Sequence, residues 1–213
     1  MWKTELIPCP VCGQGRQDDY LRRICGLSRE MQGWTLAAFA TPTPSHKEAL
    51  SAARAAVQEP RFWLTFWGLY GVGKTHLLAA IVNGVRARGL TAVYTTMADL
   101  LDHFRRAYNP SGKEPDFDGL WQKVTTATCL AIDELDRFNM TPWAREKLFQ
   151  LAEERYRNAG HSLTVFATNC KVEQGVRILE EDAGYLESRL LDGRNVVIHI
   201  TGGDVRPAME RQG

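Results

Sequence analysis

Hydrophobic and polar positions switch between two periods along most of this chain. Residues 61–67 (RFWLTFW) form an aromatic and β-branched run of strand character. Residues 75–88 then carry Leu77, Leu78, Ile81, Val82 and Val85 at helical spacing. Strand-like runs recur at 91–95 (TAVYT), 128–133 (TCLAID), 163–168 (LTVFAT) and 196–200 (VVIHI). Helices are predicted between them at 97–108 and 142–158, the second capped by Thr141, with Pro142 at its first position and Gly160 at its end. An alanine-rich helix precedes the first strand. Ser45 and Glu48 have the spacing of a capping box for it, and Pro60 stops it. Residues 109–119 (NPSGKEPDFDG) read as an exposed loop. Apolar strands separated by helical segments call for an α/β fold, a parallel sheet flanked by helices on both faces. No internal repeat is present.

Between the first strand and its helix stands GLYGVGKT. Gly68, Gly73, Lys74 and Thr75 fill the pattern G-x-x-x-x-G-K-[ST], with a further glycine at Gly71. Glycines let successive N–H groups turn inward around phosphate oxygens, the lysine reaches the β and γ phosphates, and the threonine hydroxyl ligates magnesium. The following helix aims its N-terminus at the same anion. Tyr70, Val72 and His76 lie within or beside the loop and are counted with it as nucleotide-binding positions. ATP and Mg2+ are therefore the expected cofactors.

The run CLAIDE ends in two adjacent carboxylates, Asp133 and Glu134. An acid at a strand tip near the phosphate loop can hold magnesium through water, and a second acid can orient the water that attacks the γ-phosphate. Asp133 is assigned the first role and Glu134 the second. Asn169 follows another buried strand and should emerge at the same sheet edge, where it either touches the attacking water and γ-phosphate or serves as a turn residue. The guanine-reading pattern N-K-x-D is absent, because Cys170, Lys171 and Val172 follow Asn169. Adenine is the expected base.

Composition narrows the setting. The chain has 213 residues, enough for one α/β domain and a short appendage, and its formal net charge of +1 does not announce a nucleic-acid protein. Any nucleic-acid contact must be local. No stretch has the length of a membrane span and the N-terminus lacks the apolar core of a secretory signal, so a cytoplasmic protein with no membrane partner is expected. The odd count of five cysteines favours thiols or metal ligands over disulfides. The expected layout is a cysteine-containing segment at 1–33, a linker and helix at 34–60, the ATPase domain at 61–206 and a tail at 207–213.

With the phosphate loop, the Asp133–Glu134 pair and Asn169 together, the chain resembles an AAA+ ATPase. The G-K-T-H-L through His76 and Leu77, the I-D-E-L of the acidic motif and the L-E-S-R-L at 186–190 are similar to the DnaC-like helicase loaders and the related IstB-like transposition ATPases. The resemblance implies a P-loop AAA+ core, ATP hydrolysis and assembly into a homo-oligomer when ATP is bound. It also implies a role for Arg189 as an arginine finger acting on a neighbour's ATP, so that hydrolysis depends on assembly. The sequence GGDVR at 202–206 is similar to the family's closing glycine and arginine, so Arg206 is expected to face nucleotide. Only a short tail follows Thr201, and a full C-terminal helical lid is not expected.

Two further sites are candidates. Cys9 and Cys12 form half of a zinc knuckle, to which Cys25 could add a third thiolate; structural zinc wants four ligands, so zinc competes here with free thiols. Some loaders of the resembled family carry a small cysteine-rich module of this kind. For DNA, the helix at 97–108 carries Phe104, Arg105, Arg106 and Tyr108, with Lys113 in the loop beyond. Cations beside aromatics suit single-stranded DNA, whose bases stack while its phosphates are tracked by charge. The alternative is that Phe104 packs on the sheet and both arginines form a solvated face. The leading expectation is an ATPase that binds single-stranded DNA and loads a replicative helicase. Recruitment of a transposase to target DNA is the alternative, and a P-loop small-molecule kinase a more distant one.

Overall fold

The computed structural model describes residues 24–108, 117–139, 141–171 and 183–205. Five strands, β1 (Phe62–Trp67), β2 (Ala92–Thr96), β3 (Cys129–Asp133), β4 (Leu163–Thr168) and β5 (Val196–His199), lie in the order β2-β3-β4-β1-β5. All pairings are parallel. Around the sheet stand α1 (Pro44–Gln58), α2 (Lys74–Ala87), α3 (Met97–Ala107), α4 (Phe117–Thr126), α5 (Pro142–Arg157) and α6 (Ala183–Leu190). Among the described residues no helix is long and apolar enough to cross a membrane.

The near-continuous apolar strands are explained by cover on both faces. Trp63, Val93, Leu130, Ile132 and Phe166 belong to one core cluster with residues of α3 to α6. Leu64, Phe66, Tyr94, Ala131 and Val165 alternate to the opposite face and pack with α1 and α2. Arg155 of α5 is buried without a carboxylate partner among its hydrogen bonds. Its guanidinium instead satisfies the Thr164 hydroxyl and the carbonyls of Thr125, Ala127 and Leu163, tying α4 to β4.

Two local expectations need correction. The cap of α1 is Thr43, whose hydroxyl accepts from the His46 N–H, with Pro44 in the first turn where its missing N–H costs nothing. Ser45 is drawn elsewhere: its hydroxyl accepts from the Thr201 N–H at 3.0 Å and fastens α1 to the segment after β5. The loop predicted over 109–119 also runs too far, since α4 begins at Phe117. Phe117, Leu120, Trp121 and Val124 form a helical apolar stripe that the surrounding prolines, glycines and aspartates obscure.

Candidate active site

The sheet order decides which strand tips meet. β4 lies between β1 and β3, and its register with β1 sets Trp67 opposite Thr168. The phosphate loop after β1 therefore runs beside Asn169, and Asp133 stands one strand further on. Strand periodicity sets the faces. Asp133 shares the face of Cys129 and Ala131, which looks onto α2, and α2 carries Thr75 in its first turn.

Gly73 caps α2 in the left-handed region, at φ 89°, and a Cβ there would lie 2.7 Å from the Phe39 ring. Lys74 is buried, and its ammonium donates to the carbonyls of Gly68 (2.7 Å) and Leu69 (2.8 Å) and to Asn169 Oδ1 (3.0 Å). Burial lowers its pKa, while the negative charges of Asp133 and Asp136 oppose the shift. Thr75 Oγ1 donates to Asp133 Oδ2 at 2.7 Å. The Tyr94 phenol donates to the same oxygen at 2.9 Å, and the Glu134 N–H donates to Asp133 Oδ1 at 2.8 Å. Burial first, and then the Asp133 charge, raises the Tyr94 pKa well above its ordinary value, so the phenol remains a donor.

This donor set fits Mg2+–ATP. A hydroxyl and a carboxylate already share one point, as magnesium ligation at a phosphate loop requires, and a lysine stands beside them. Asn169 is held in place: its side-chain amide donates to Asp136 Oδ2 at 3.1 Å and its backbone N–H to Asp136 Oδ1 at 3.1 Å, leaving Oδ1 of Asn169 for Lys74. Burial alone would raise the Asp136 pKa, but hydrogen bonds from Asn169, from its own backbone N–H and from Thr168 together outweigh it and hold the carboxyl below its usual value. Glu134 has φ 51°, a left-handed conformation uncommon for a residue with a side chain and often found where function over-determines the backbone. Arg137 lies 3.6 Å from its carboxylate.

A cleft of about 570 Å3 adjoins the loop, lined by Trp34, Phe39, Gly73, Lys74, His76 and Val205. His76 stacks on Trp34 with ring centroids 5.1 Å apart. The Val205 N–H donates to the Gly71 carbonyl at 3.0 Å, so the segment after β5 folds back onto the loop. Trp34, Phe39, Tyr94, Asp136 and Arg137 also border this site and belong to no motif of the sequence. The short interval from Asp133 was the available signal for Asp136 and Arg137, whereas Trp34 and Phe39 reach the cleft only through tertiary folding.

The family model described as IstB-like ATP binding protein matches residues 52–206. The chain belongs to the IstB-like ATP-binding protein family. Among curated relatives, the insertion sequence IS5376 putative ATP-binding protein of Geobacillus stearothermophilus is 33% identical over 101 residues, 47% of this chain and 39% of that protein. The replicative helicase loader DnaC of Escherichia coli is 28% identical over 136 residues, 62% of this chain and 54% of that protein. This IstB-like chain thus spans about half the length, or less, of these curated relatives. The AAA+ fold is shared with a DnaI crystal structure (TM-score 0.65, 21% identity, 90% of this chain and 100% of that one). It is shared also with the DnaC helicase loader (TM-score 0.64, 23% identity, 82% and 100%).

Other predicted site residues of this IstB-like protein fall as follows. Arg189 on α6 lies over the Tyr156 ring at 4.6 Å and 3.8 Å from Glu153 Oε2. Arg105 and Arg106 are exposed, with Asp102 oxygens at 3.6 and 3.4 Å. Tyr108 is exposed and stacks on Phe117 at 4.6 Å. Phe104 is corrected: it is 0% exposed, packed against Phe117 and Trp121, and offers no surface to a nucleobase. The Cys25 thiol accepts from the Tyr94 N–H at 3.3 Å. Among the described residues no cluster of three His, Cys, Asp or Glu is placed to hold a metal. Cys9, Cys12, Lys113 and Arg206 lie outside the described residues.

Proposed function

We propose that this protein hydrolyses ATP to time its assembly on single-stranded DNA, where it delivers a replicative helicase. The observation that carries the ATP part is the Thr75–Asp133 contact of 2.7 Å beside Lys74. Lys74 would hold the β and γ phosphates, Thr75 and Asp133 the magnesium, Glu134 the attacking water, and Asn169 the γ-phosphate edge. Bound Mg2+ would neutralise charge developing on the β and γ oxygens. The aromatic cleft at Trp34 and Phe39 would take adenine, with Arg206 next in sequence to Val205 of its lining. Arg189 would act on the ATP of a neighbouring copy.

Arg105, Arg106 and Tyr108 supply charge and one exposed ring for a single strand, and Trp143, which lies 4.9 Å beneath the Arg105 guanidinium, extends that surface. The likeness to the loader DnaC supports the helicase as client. A second reading, recruitment of a transposase, is favoured by the IS5376 relative. Zinc on Cys9, Cys12 and Cys25 would be a structural metal, apart from the ATP chemistry. The test is steady-state ATP hydrolysis with and without single-stranded DNA. Stimulation that vanishes in Glu134→Gln, with ATP binding retained, supports the proposal; turnover indifferent to DNA removes the DNA part. Capture of a purified replicative helicase against a transposase separates the two clients.

A further inference from the structure

Glu134 and the phosphate loop are joined by a side chain that the proposed chemistry does not use. Arg137 Nη1 lies 3.6 Å from Glu134 Oε1, and Arg137 Nη2 donates to the Tyr70 hydroxyl at 3.0 Å. The guanidinium also lies over the Tyr70 ring, 4.9 Å from its centroid. Tyr70 belongs to the phosphate loop itself, between Gly68 and Gly71, and is 57% exposed beside a 70% exposed Leu69. The turn that places Arg137 is built in, since its N–H donates to the Glu134 carbonyl at 2.9 Å.

We propose that Arg137 is a positioning residue that restrains the Glu134 carboxylate by tying it to Tyr70, so that hydrolysis proceeds faster when this tether opens. The proposal rests on the reading of Glu134 as the water-orienting group. A carboxylate paired with a guanidinium is a poorer acceptor for a water proton, and its position is set by the cation. The Glu134 and Arg137 side chains are each about half-exposed (45% and 50%), a setting in which ion pairs are weak and reversible. Such a tether would slow Glu134 without disabling it. The ring of Tyr70 adds stacking that the hydroxyl alone would not give.

The test is ATP hydrolysis by the full chain without DNA. Arg137→Ala is expected to raise kcat about two- to fivefold, roughly 0.4 to 1 kcal/mol at 1.36 kcal/mol per tenfold, with KM for ATP changed less than about twofold. Tyr70→Phe, which keeps the ring and removes the hydroxyl, should give a smaller rise, and Arg137→Lys should restore part of the restraint. In Arg137→Ala combined with Glu134→Gln the rise should disappear, showing that it passes through Glu134. Unchanged or lower kcat in Arg137→Ala, or a KM rise with constant kcat, overturns the tether while leaving the role of Glu134 intact. If Glu134→Gln alone turns over ATP like the unmodified protein, the underlying reading of Glu134 fails, and the tether with it. Tyr70→Phe lies on the surface and gives an independent answer should Arg137→Ala fold poorly.

Discussion

The Thr75 hydroxyl donates to Asp133 across 2.7 Å, joining the first turn of α2 to the tip of a strand that lies two places away from β1 in the sheet. The hydroxyl and carboxylate that would share a magnesium ion thus already meet. Asp133→Asn removes the charge that would hold the metal, and ATP hydrolysis should fall about a hundredfold or more. Tyr94→Phe removes only a hydrogen bond to the same oxygen, and should raise the Mg2+ needed for half-maximal turnover roughly tenfold. A magnesium titration of both variants checks the pair; a Tyr94→Phe curve equal to that of the unmodified protein would place Tyr94 outside metal support.

The two aromatics of α3 and its cap should separate cleanly. Phe104→Ala opens a cavity in the core and should cost about 3 to 5 kcal/mol of stability, read as a lower urea midpoint. Tyr108→Ala should leave the midpoint nearly unchanged and weaken single-strand binding by about 1 to 3 kcal/mol, read by fluorescence anisotropy. Removing Arg105 and Arg106 together should flatten the salt dependence of that binding by a slope of about 2.

Arg189→Ala should abolish the part of ATP turnover that rises with protein concentration, while ATP binding to the single chain persists. An arginine acting in the transition state is worth about a thousandfold or more. Turnover that keeps its concentration dependence in the variant would assign Arg189 to its packing on Tyr156 instead.

His46 gives a pH prediction. It is buried beneath the phosphate loop, with Nδ1 2.7 Å from the Thr43 hydroxyl and its ring beside Phe39. Burial lowers its pKa below 6.5, with the backbone of Val72 opposing the shift. The unfolded chain therefore binds the proton more readily than the folded one, and stability should fall as pH drops through 6.5 toward the folded value. Urea midpoints at pH 7.5 and 5.5 measure this, and His46→Gln should reduce the difference.

The sequence determined the parts whose cause is local. Strand β4 matched its predicted bounds, and Thr141 capped α5 as expected through a hydroxyl that accepts from the Ala144 N–H, because an apolar run and a capping residue act within a few positions. The phosphate-loop pattern and the adjacent acids Asp133 and Glu134 are visible for the same reason, since the chemistry proposed for them needs fixed residue types at short spacing. Tertiary structure decided what depends on distant partners. Thr201 took Ser45 away from the cap of α1, the core claimed Phe104, and the insertion of β4 between β1 and β3 set Asn169 against Lys74. Arg137 met Tyr70 across 67 residues of chain. No period or motif encodes such a meeting: it follows from the order of strands in the sheet, which is fixed only when both faces are packed.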